Sequence, residues 1–128
     1  MIVTVSKGKA QKLTKNFKST EFDCKCRNKN CSQTLIDTEL MSYLQLIRTH
    51  FNKAVFINSG YRCKAHNKAV GGVASSQHLK GTAADIVVQG VSPEAVAAYC
   101  SSIGVNGIGI YKTFTHIDTR ASKATWRG

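Results

Sequence analysis

The sequence SQHLKGTAAD, residues 76–85, carries the strongest clue to the architecture of this chain. It places a histidine, His78, before an aspartate, Asp85, and a second histidine, His116, follows in FTHID, residues 114–118. A catalytic zinc ion takes three protein ligands of these types and keeps a fourth position open for water. The same spacing also arises when a capping histidine, a turn aspartate and a surface histidine are unrelated. On spacing alone, both interpretations stand.

The residues around this sequence predict a strand preceded by a sharp turn. Residues 83–88, AADIVV, are rich in β-branched side chains, and their period of two places Asp85 on the face opposite to Ile86 and Val88. Gly81 allows the preceding loop to turn sharply. A histidine on the loop and an aspartate on the strand can therefore approach one metal ion.

Further predicted elements lie on both sides of this strand. Asp37 is suited to cap a helix in which Leu40, Leu44, Ile47 and Phe51 recur at spacings of three and four. The other predicted elements are a strand at 54–58, helical turns at 64–70, a helix at 92–103 and a hairpin of strands at 107–111 and 114–118. This order predicts an α+β fold in which helices pack on a small, mainly antiparallel sheet.

The length of 128 residues predicts a single domain, residues 1–128. Residues 1–16 are rich in lysine and weakly patterned, so we expect a basic N-terminal arm that drapes over the domain. Residues 23–34 hold three cysteines among polar residues and predict an irregular loop.

The chain is strongly basic, with 18 Lys and Arg against 7 Asp and Glu and a formal charge of +11. Such a charge predicts acidic partners, which include nucleic acid, anionic lipid and acidic polymers of the bacterial wall. Nucleic-acid binding is not favoured, because no recognition helix or aromatic-plus-basic signature accompanies the lysines. No apolar run is long enough for a membrane span, and the apolar start is too short for a signal peptide. We expect a monomer made in the cytoplasm that acts on the wall after release.

Four motifs together resemble a known family. They are SGYRC at 59–63, HNKAVGG at 66–72, the pattern S-x-H-x-x-G-x-A-x-D at 76–85 and THID at 115–118. Over about residues 17–120 the chain is similar to the zinc D-alanyl-D-alanine carboxypeptidase family of peptidoglycan peptidases. The resemblance implies the fold of the hedgehog signalling domain and a Zn²⁺-dependent enzyme that cuts peptidoglycan stem peptides.

Carried onto the matching positions, the resemblance implies that His78, Asp85 and His116 hold the zinc ion. It also implies that Arg62 anchors the substrate or stabilises a developing oxyanion, a role that suits the paired donors of a guanidinium group. Ser76 and Gln77 are expected to position either the substrate or their own loop. Both alternatives are open for this pair.

The general base departs from the better-known branches of the family. Those branches carry Glu three residues before the last zinc ligand or His two residues before it, and these positions are Thr113 and Phe114 here. Asp118 is the candidate catalytic base, because residues 116 and 118 of one strand share a face. The alternative is that Asp118 hydrogen-bonds a zinc histidine or pairs with Arg62 or Arg120.

In relatives of this family, a cluster such as Cys24, Cys26 and Cys31 is paired with the cysteine after SGYR, here Cys63. Four thiols can hold a structural zinc ion, remain reduced or form two disulfides. In a cytoplasmic protein disulfides are disfavoured, so the first two states come first. Cys100 reads as a buried thiol with a packing role.

Three functions remain in competition. The leading hypothesis is a peptidoglycan peptidase of the phage-lysin type, acting as a carboxypeptidase or an endopeptidase. The second is a zinc-containing wall-binding module without turnover, which the missing family Glu and His would explain. The third is a basic nucleic-acid binder with a cysteine-rich zinc loop, which would show salt-dependent affinity for DNA.

Overall fold

A computed structural model describes residues 1–128. Its strands and helices are β1 Ile2–Ser6, β2 Lys12–Thr14, β3 Phe17–Lys18, β4 Gln33–Asp37, α1 Thr38–Phe51, β5 Val55–Ser59, α2 Lys64–Ala69, β6 Ala83–Val88, α3 Pro93–Ser102, β7 Gly107–Ile110, β8 Thr115–Asp118 and β9 Ala124–Arg127. Two short 3-10 turns lie at Ser19–Phe22 and Gln77–Lys80. None of the helices combines the length and the apolar character needed to cross a membrane.

A five-stranded sheet forms the centre of the molecule, in the order β5-β6-β8-β7-β9. Its pairs are antiparallel except for β7 and β9, which run parallel. The α+β class with a mainly antiparallel sheet is thus confirmed, and so is the hairpin of β7 and β8. Strand β9, ATWR, was not predicted, because four residues near the end of the chain carry too little pattern to stand out.

The hydrophobic core lies between this sheet and helices α1 and α3. Of the apolar residues of α1 that were predicted to face the core, Leu40, Leu44 and Ile47 are buried in one cluster with residues of β6 such as Ile86, and Phe51 is partly buried against it. The alternation predicted for β6 is therefore correct, and its opposite face is left to carry Asp85. Each large apolar side chain buried there contributes roughly 1.5–3 kcal/mol to folding.

Helix α1 begins where the sequence predicted. The Asp37 carboxylate accepts a hydrogen bond from the backbone N–H of Glu39, as an N-cap does. It also accepts bonds from the N-terminal amino group of Met1 at 3.0 Å and from Thr119 Oγ1 at 2.7 Å. This one side chain therefore joins the N-terminus, helix α1 and the segment after β8.

The N-terminal region is more regular than the arm expected for residues 1–16. Strand β1 pairs antiparallel with β4, and β2 pairs with β3, so half of residues 1–16 is built into two small sheets. Strand β4 itself begins at Gln33, inside the segment predicted to be a loop. The run of four consecutive β-branched residues in β1, from Ile2 to Val5, carried this signal, which the density of lysines obscured.

Candidate metal centre

Two paired strands and one turn bring the predicted metal ligands together. Asp85 of β6 and His116 of β8 are directly opposite each other in the antiparallel pairing, so their side chains lie on the same face. His78 reaches the same point from the 3-10 turn that follows Ser76. Asp85 Oδ1 lies 2.9 Å from His116 Nδ1 and 3.3 Å from His78 Nε2.

The outer nitrogen of each histidine ring is fixed by a hydrogen bond that points away from the shared centre. His78 Nδ1 lies 2.7 Å from the carbonyl oxygen of Gly60, which can only accept, so this nitrogen carries the proton. His116 Nε2 lies 2.7 Å from Asp118 Oδ2. The other nitrogen of each ring, His78 Nε2 and His116 Nδ1, therefore faces Asp85, where it can donate to the carboxylate or, once deprotonated, offer its lone pair to a metal ion.

The charges at this centre stabilise one another. Burial on its own would raise the pKa of Asp85, but hydrogen bonds from His116 and His78 hold that pKa well below its ordinary value. Burial would lower the pKa of His116, whereas its contacts with Asp118 and Asp85 raise it. The Asp85 carboxylate is thus held in the ionised form that a metal ligand requires.

The three donor atoms suit zinc. His78, Asp85 and His116 offer one donor atom each, and these atoms lie within 4.8 Å of one another. A tetrahedral ion bound at about 2.0–2.2 Å needs donors roughly 3.3–3.6 Å apart, close to the separations in this site. Two imidazoles and one carboxylate form a typical catalytic zinc set, which leaves a coordination position for a reacting molecule.

Arg62 lies beside this centre and is held by three acceptors. Its guanidinium group donates to Asp85 Oδ2 at 3.3 Å, to Ser59 Oγ at 3.0 Å and to Asn67 Oδ1 at 3.2 Å. It binds the Asp85 oxygen that does not face the histidines, and its remaining N–H groups are free for a substrate oxygen. Sequence reasoning missed Ser59 and Asn67, although both lie within the motifs that flank Arg62.

Asp118 lies behind His116 and is fully buried. Its carboxylate accepts from His116 Nε2 and from three nitrogens of Arg120: the backbone N at 3.1 Å, Nε at 2.8 Å and Nη2 at 2.7 Å. Burial would raise the pKa of Asp118, but these bonds from Arg120 and His116 hold it well below its ordinary value. Of the two roles predicted for Asp118, this geometry supports the one in which it positions a zinc histidine and pairs with Arg120.

The model of the peptidase M15 family matches residues 15–118. The chain belongs to the peptidase M15 family. It is also similar to a probable peptidoglycan L,D-endopeptidase, MepK, of Haemophilus influenzae, with 29% identity over 119 residues that cover 84% of this chain. The match spans 63% of the length of that relative. The predicted kind of peptidase family is thus confirmed, while membership of a phage-lysin branch stays a prediction.

Glycines in β7 make room for the side chains that surround His116 in this M15 domain. Gly107 is the cross-strand partner of Asp118, and a Cβ at this position would overlap the Asp118 carboxylate. Gly109 is the partner of His116, and a Cβ there would meet the indole ring of Trp126 at 2.7 Å. The sequence GIGI thus presents glycines to the site and isoleucines to the other face.

The M15 centre opens into a cleft of about 790 Å³. Aromatic residues near the C-terminus form one wall: Tyr111, Phe114 and Trp126. The Trp126 ring packs 5.2 Å from the His116 ring and donates from Nε1 to the Tyr111 hydroxyl at 2.9 Å, while the Arg120 guanidinium lies 4.9 Å from the centre of the Trp126 ring. The sequence signal for this wall was the single tryptophan of the chain, six residues after Arg120.

Ser76 and Gln77 line the cleft and also hold their own loop. Ser76 Oγ accepts from the backbone N–H of His78 at 3.2 Å. Gln77 Oε1 accepts from the hydroxyl of Thr82 at 2.7 Å. The contacts in the structure support the loop role, and both side chains remain within reach of the cleft.

A second cluster of possible metal ligands lies outside the cleft. Its members are the four cysteines that the sequence grouped together: Cys24, Cys26, Cys31 and Cys63. Cys100 is fully buried in the core and is not part of this cluster, as predicted.

Proposed function

We propose that this M15 protein is a zinc-dependent peptidase that hydrolyses peptide bonds in the stem peptides of bacterial peptidoglycan. The observation that carries this proposal is the convergence of His78 Nε2, Asp85 Oδ1 and His116 Nδ1 beside an open cleft. The similarity to a probable peptidoglycan L,D-endopeptidase supports the substrate class.

When bound by these three residues, zinc would polarise a carbonyl group and lower the pKa of water. The protein's own side chains orient the reacting parts. Asp118 and the carbonyl group of Gly60 hold the two imidazole rings, and Arg62 holds Asp85 while it presents N–H groups to the cleft. A guanidinium so placed can bind a substrate carboxylate or stabilise negative charge that develops on a carbonyl oxygen.

The bond that is cut can be tested with defined muropeptides followed by mass spectrometry. Loss of the terminal D-alanine from a pentapeptide would identify a carboxypeptidase, and conversion of cross-linked dimers to monomers would identify an endopeptidase. The His78→Ala variant serves as the inactive control. If zinc-loaded wild-type protein leaves every muropeptide intact, the peptidase proposal fails.

One observation favours a second candidate, a module that binds the wall without turnover. Asp85 is the only acidic residue that lines the cleft, and Asp118 is buried behind His116. No carboxylate other than a proposed metal ligand therefore faces the cleft as a proton acceptor. Release of new amino groups from purified walls separates the two candidates, because a binding module would sediment with walls without releasing any.

The charge of +11 supports a further part of the proposal, that acidic wall polymers attract the enzyme. Binding to walls that retain teichoic acid should then weaken as salt rises, and walls stripped of these polymers should bind less at low salt. A lysin-like role predicts that protein added to permeabilised cells lowers their turbidity. Unchanged turbidity together with active muropeptide cleavage would exclude that role and retain the peptidase.

A further inference from the structure

Four cysteine sulfur atoms meet outside the cleft, next to the loop of residues 60–63 that carries Arg62 (the Arg62 loop). Cys24, Cys26 and Cys31 come from the segment between the first 3-10 turn and β4, and Cys63 precedes helix α2. Their sulfur atoms all lie within 4.8 Å of one another, and all four thiols are free. Cys24 is 3% exposed, and the other three are partly buried.

The sulfur separations match a tetrahedron around zinc. Cys63 Sγ lies 3.7 Å from Cys24 Sγ and 3.8 Å from Cys26 Sγ. A zinc–thiolate bond of about 2.3 Å gives tetrahedral edges of about 3.8 Å. One cysteine, Cys63, thus stands at a zinc-like distance from two others at once, whereas a disulfide joins a sulfur atom to one partner.

Two of the four sulfur atoms have a donor or a cation beside them that favours a thiolate. The backbone N–H of Cys63 donates to Cys24 Sγ at 3.3 Å, and Lys7 Nζ lies 3.5 Å from Cys26 Sγ. Two further basic residues, Lys25 and Arg27, flank Cys26 in the sequence. N–H donors and nearby cations stabilise the negative charge that four thiolates leave around a divalent ion.

We propose that Cys24, Cys26, Cys31 and Cys63 bind a structural zinc ion, separate from the ion proposed at His78, Asp85 and His116. This second ion fastens the cysteine-rich loop to the Arg62 loop. The backbone already joins them at one point, where Tyr61 N–H donates to the carbonyl oxygen of Phe22 at 3.0 Å. The backbone N–H of Arg62 also donates to the carbonyl oxygen of His78 at 3.1 Å. An ion bound to Cys63 would therefore help to hold Arg62 in place beside the His78–Asp85–His116 centre.

The direct test is the metal environment of the full-length chain, prepared anaerobically with its thiols reduced and loaded with zinc alone. X-ray absorption at the zinc edge should show sulfur neighbours at about 2.3 Å besides nitrogen and oxygen neighbours. Loading with Co²⁺ should give the intense near-ultraviolet bands of thiolate-to-cobalt charge transfer. Wild-type protein without metal–sulfur neighbours by either method overturns the proposal, whether or not any variant folds.

Variants assign the signal to the cluster. Cys31→Ser should lose one zinc equivalent together with most of the sulfur signal, while the matched control Cys100→Ala should keep both, because Cys100 is buried in the core. His78→Ala should lose the nitrogen-rich ion and keep the sulfur-rich one. An unchanged sulfur signal in Cys31→Ser, or two disulfides in protein recovered anaerobically from cells, contradicts the proposal. These readouts do not depend on peptidase activity, so they can fail while the proposed function stands.

Discussion

The His78–Asp85–His116 centre and the four-cysteine cluster both adjoin the Arg62 loop, and the backbone supports them in different ways. At the first, Asp85 and His116 are neighbours in a ladder of backbone hydrogen bonds between β6 and β8. At the second, none of the four cysteines of the cluster lies in a strand or helix. The hydrogen bond from Cys31 N–H to the Asn28 carbonyl is one of few backbone bonds within the cysteine-rich loop.

The difference concerns what a metal ion contributes to each site. At the histidine centre the sheet positions the donors without a metal ion, so an ion bound there would add chemistry more than structure. At the cysteine cluster few other interactions join the segments, so an ion there contributes directly to the folding free energy. Removing a ligand should therefore damage activity at one site and stability at the other.

The largest expected effect is the loss of hydrolysis in His78→Ala. This change removes one of the proposed metal ligands from a short turn whose backbone bonds remain, so muropeptide cleavage should fall below detection. Circular dichroism and the melting temperature should stay close to wild type. The matched control is His66→Ala in α2, which should cleave normally. Wild-type turnover in His78→Ala would exclude the peptidase mechanism proposed for this centre.

The second-largest effect on activity is expected for Arg62→Lys. An ammonium group keeps the charge but cannot bind Asp85, Ser59 and Asn67 together and still present donors to the cleft. We expect kcat/KM to fall by roughly a hundredfold, the usual scale for losing a donor to developing charge. Zinc content should not change. Equal kcat/KM in the Arg62→Lys and wild-type enzymes would show that Arg62 has only a structural role. The control is Arg48→Lys in α1, the same substitution away from the cleft, which should leave kcat/KM unchanged.

Cys63→Ser tests whether an ion at the cysteine cluster stabilises the folded chain. At free zinc about 1,000 times the Kd, binding stabilises the folded chain by about 4 kcal/mol. Losing that ion should lower the melting temperature by on the order of 10 °C in a domain of this size. Activity should fall more in Cys63→Ser than in Cys31→Ser, because Cys63 adjoins Arg62. A melting temperature that chelation lowers equally in wild type and Cys63→Ser would contradict a stabilising ion at the cluster.

The sequence predicted most of the elements that build the histidine centre, because strong local signals mark them. The β-branched run of β6 and the cap at Asp37 were predicted at their observed positions, and the motif match brought His78 and His116 to the same site. The aromatic wall of Tyr111, Phe114 and Trp126 was missed. Strand β9 reaches the cleft by pairing in parallel with β7, a long-range arrangement that no local pattern encodes.

Asp118→Asn should have the smallest effect on turnover and is the most informative change. The amide can still accept a hydrogen bond from His116 but lacks the charge that strengthens this bond and the contacts with Arg120. If Asp118 positions His116, zinc affinity should fall roughly 10- to 100-fold, the usual cost of losing such a partner. Fully zinc-loaded enzyme should then turn over almost normally.

Asp37→Asn is the matched control for this change, because it also alters a buried aspartate that accepts several hydrogen bonds, yet Asp37 contacts no histidine. It should lower stability and leave zinc affinity unchanged. If instead Asp118→Asn retains zinc and loses roughly a hundredfold or more in kcat, Asp118 is a general base despite its burial. Competition with a chromogenic chelator measures the zinc affinity, and muropeptide cleavage at saturating zinc measures kcat. A loss confined to kcat would mean that the Asp118 carboxylate, which Arg120 holds next to His116 Nε2, takes part in proton transfer.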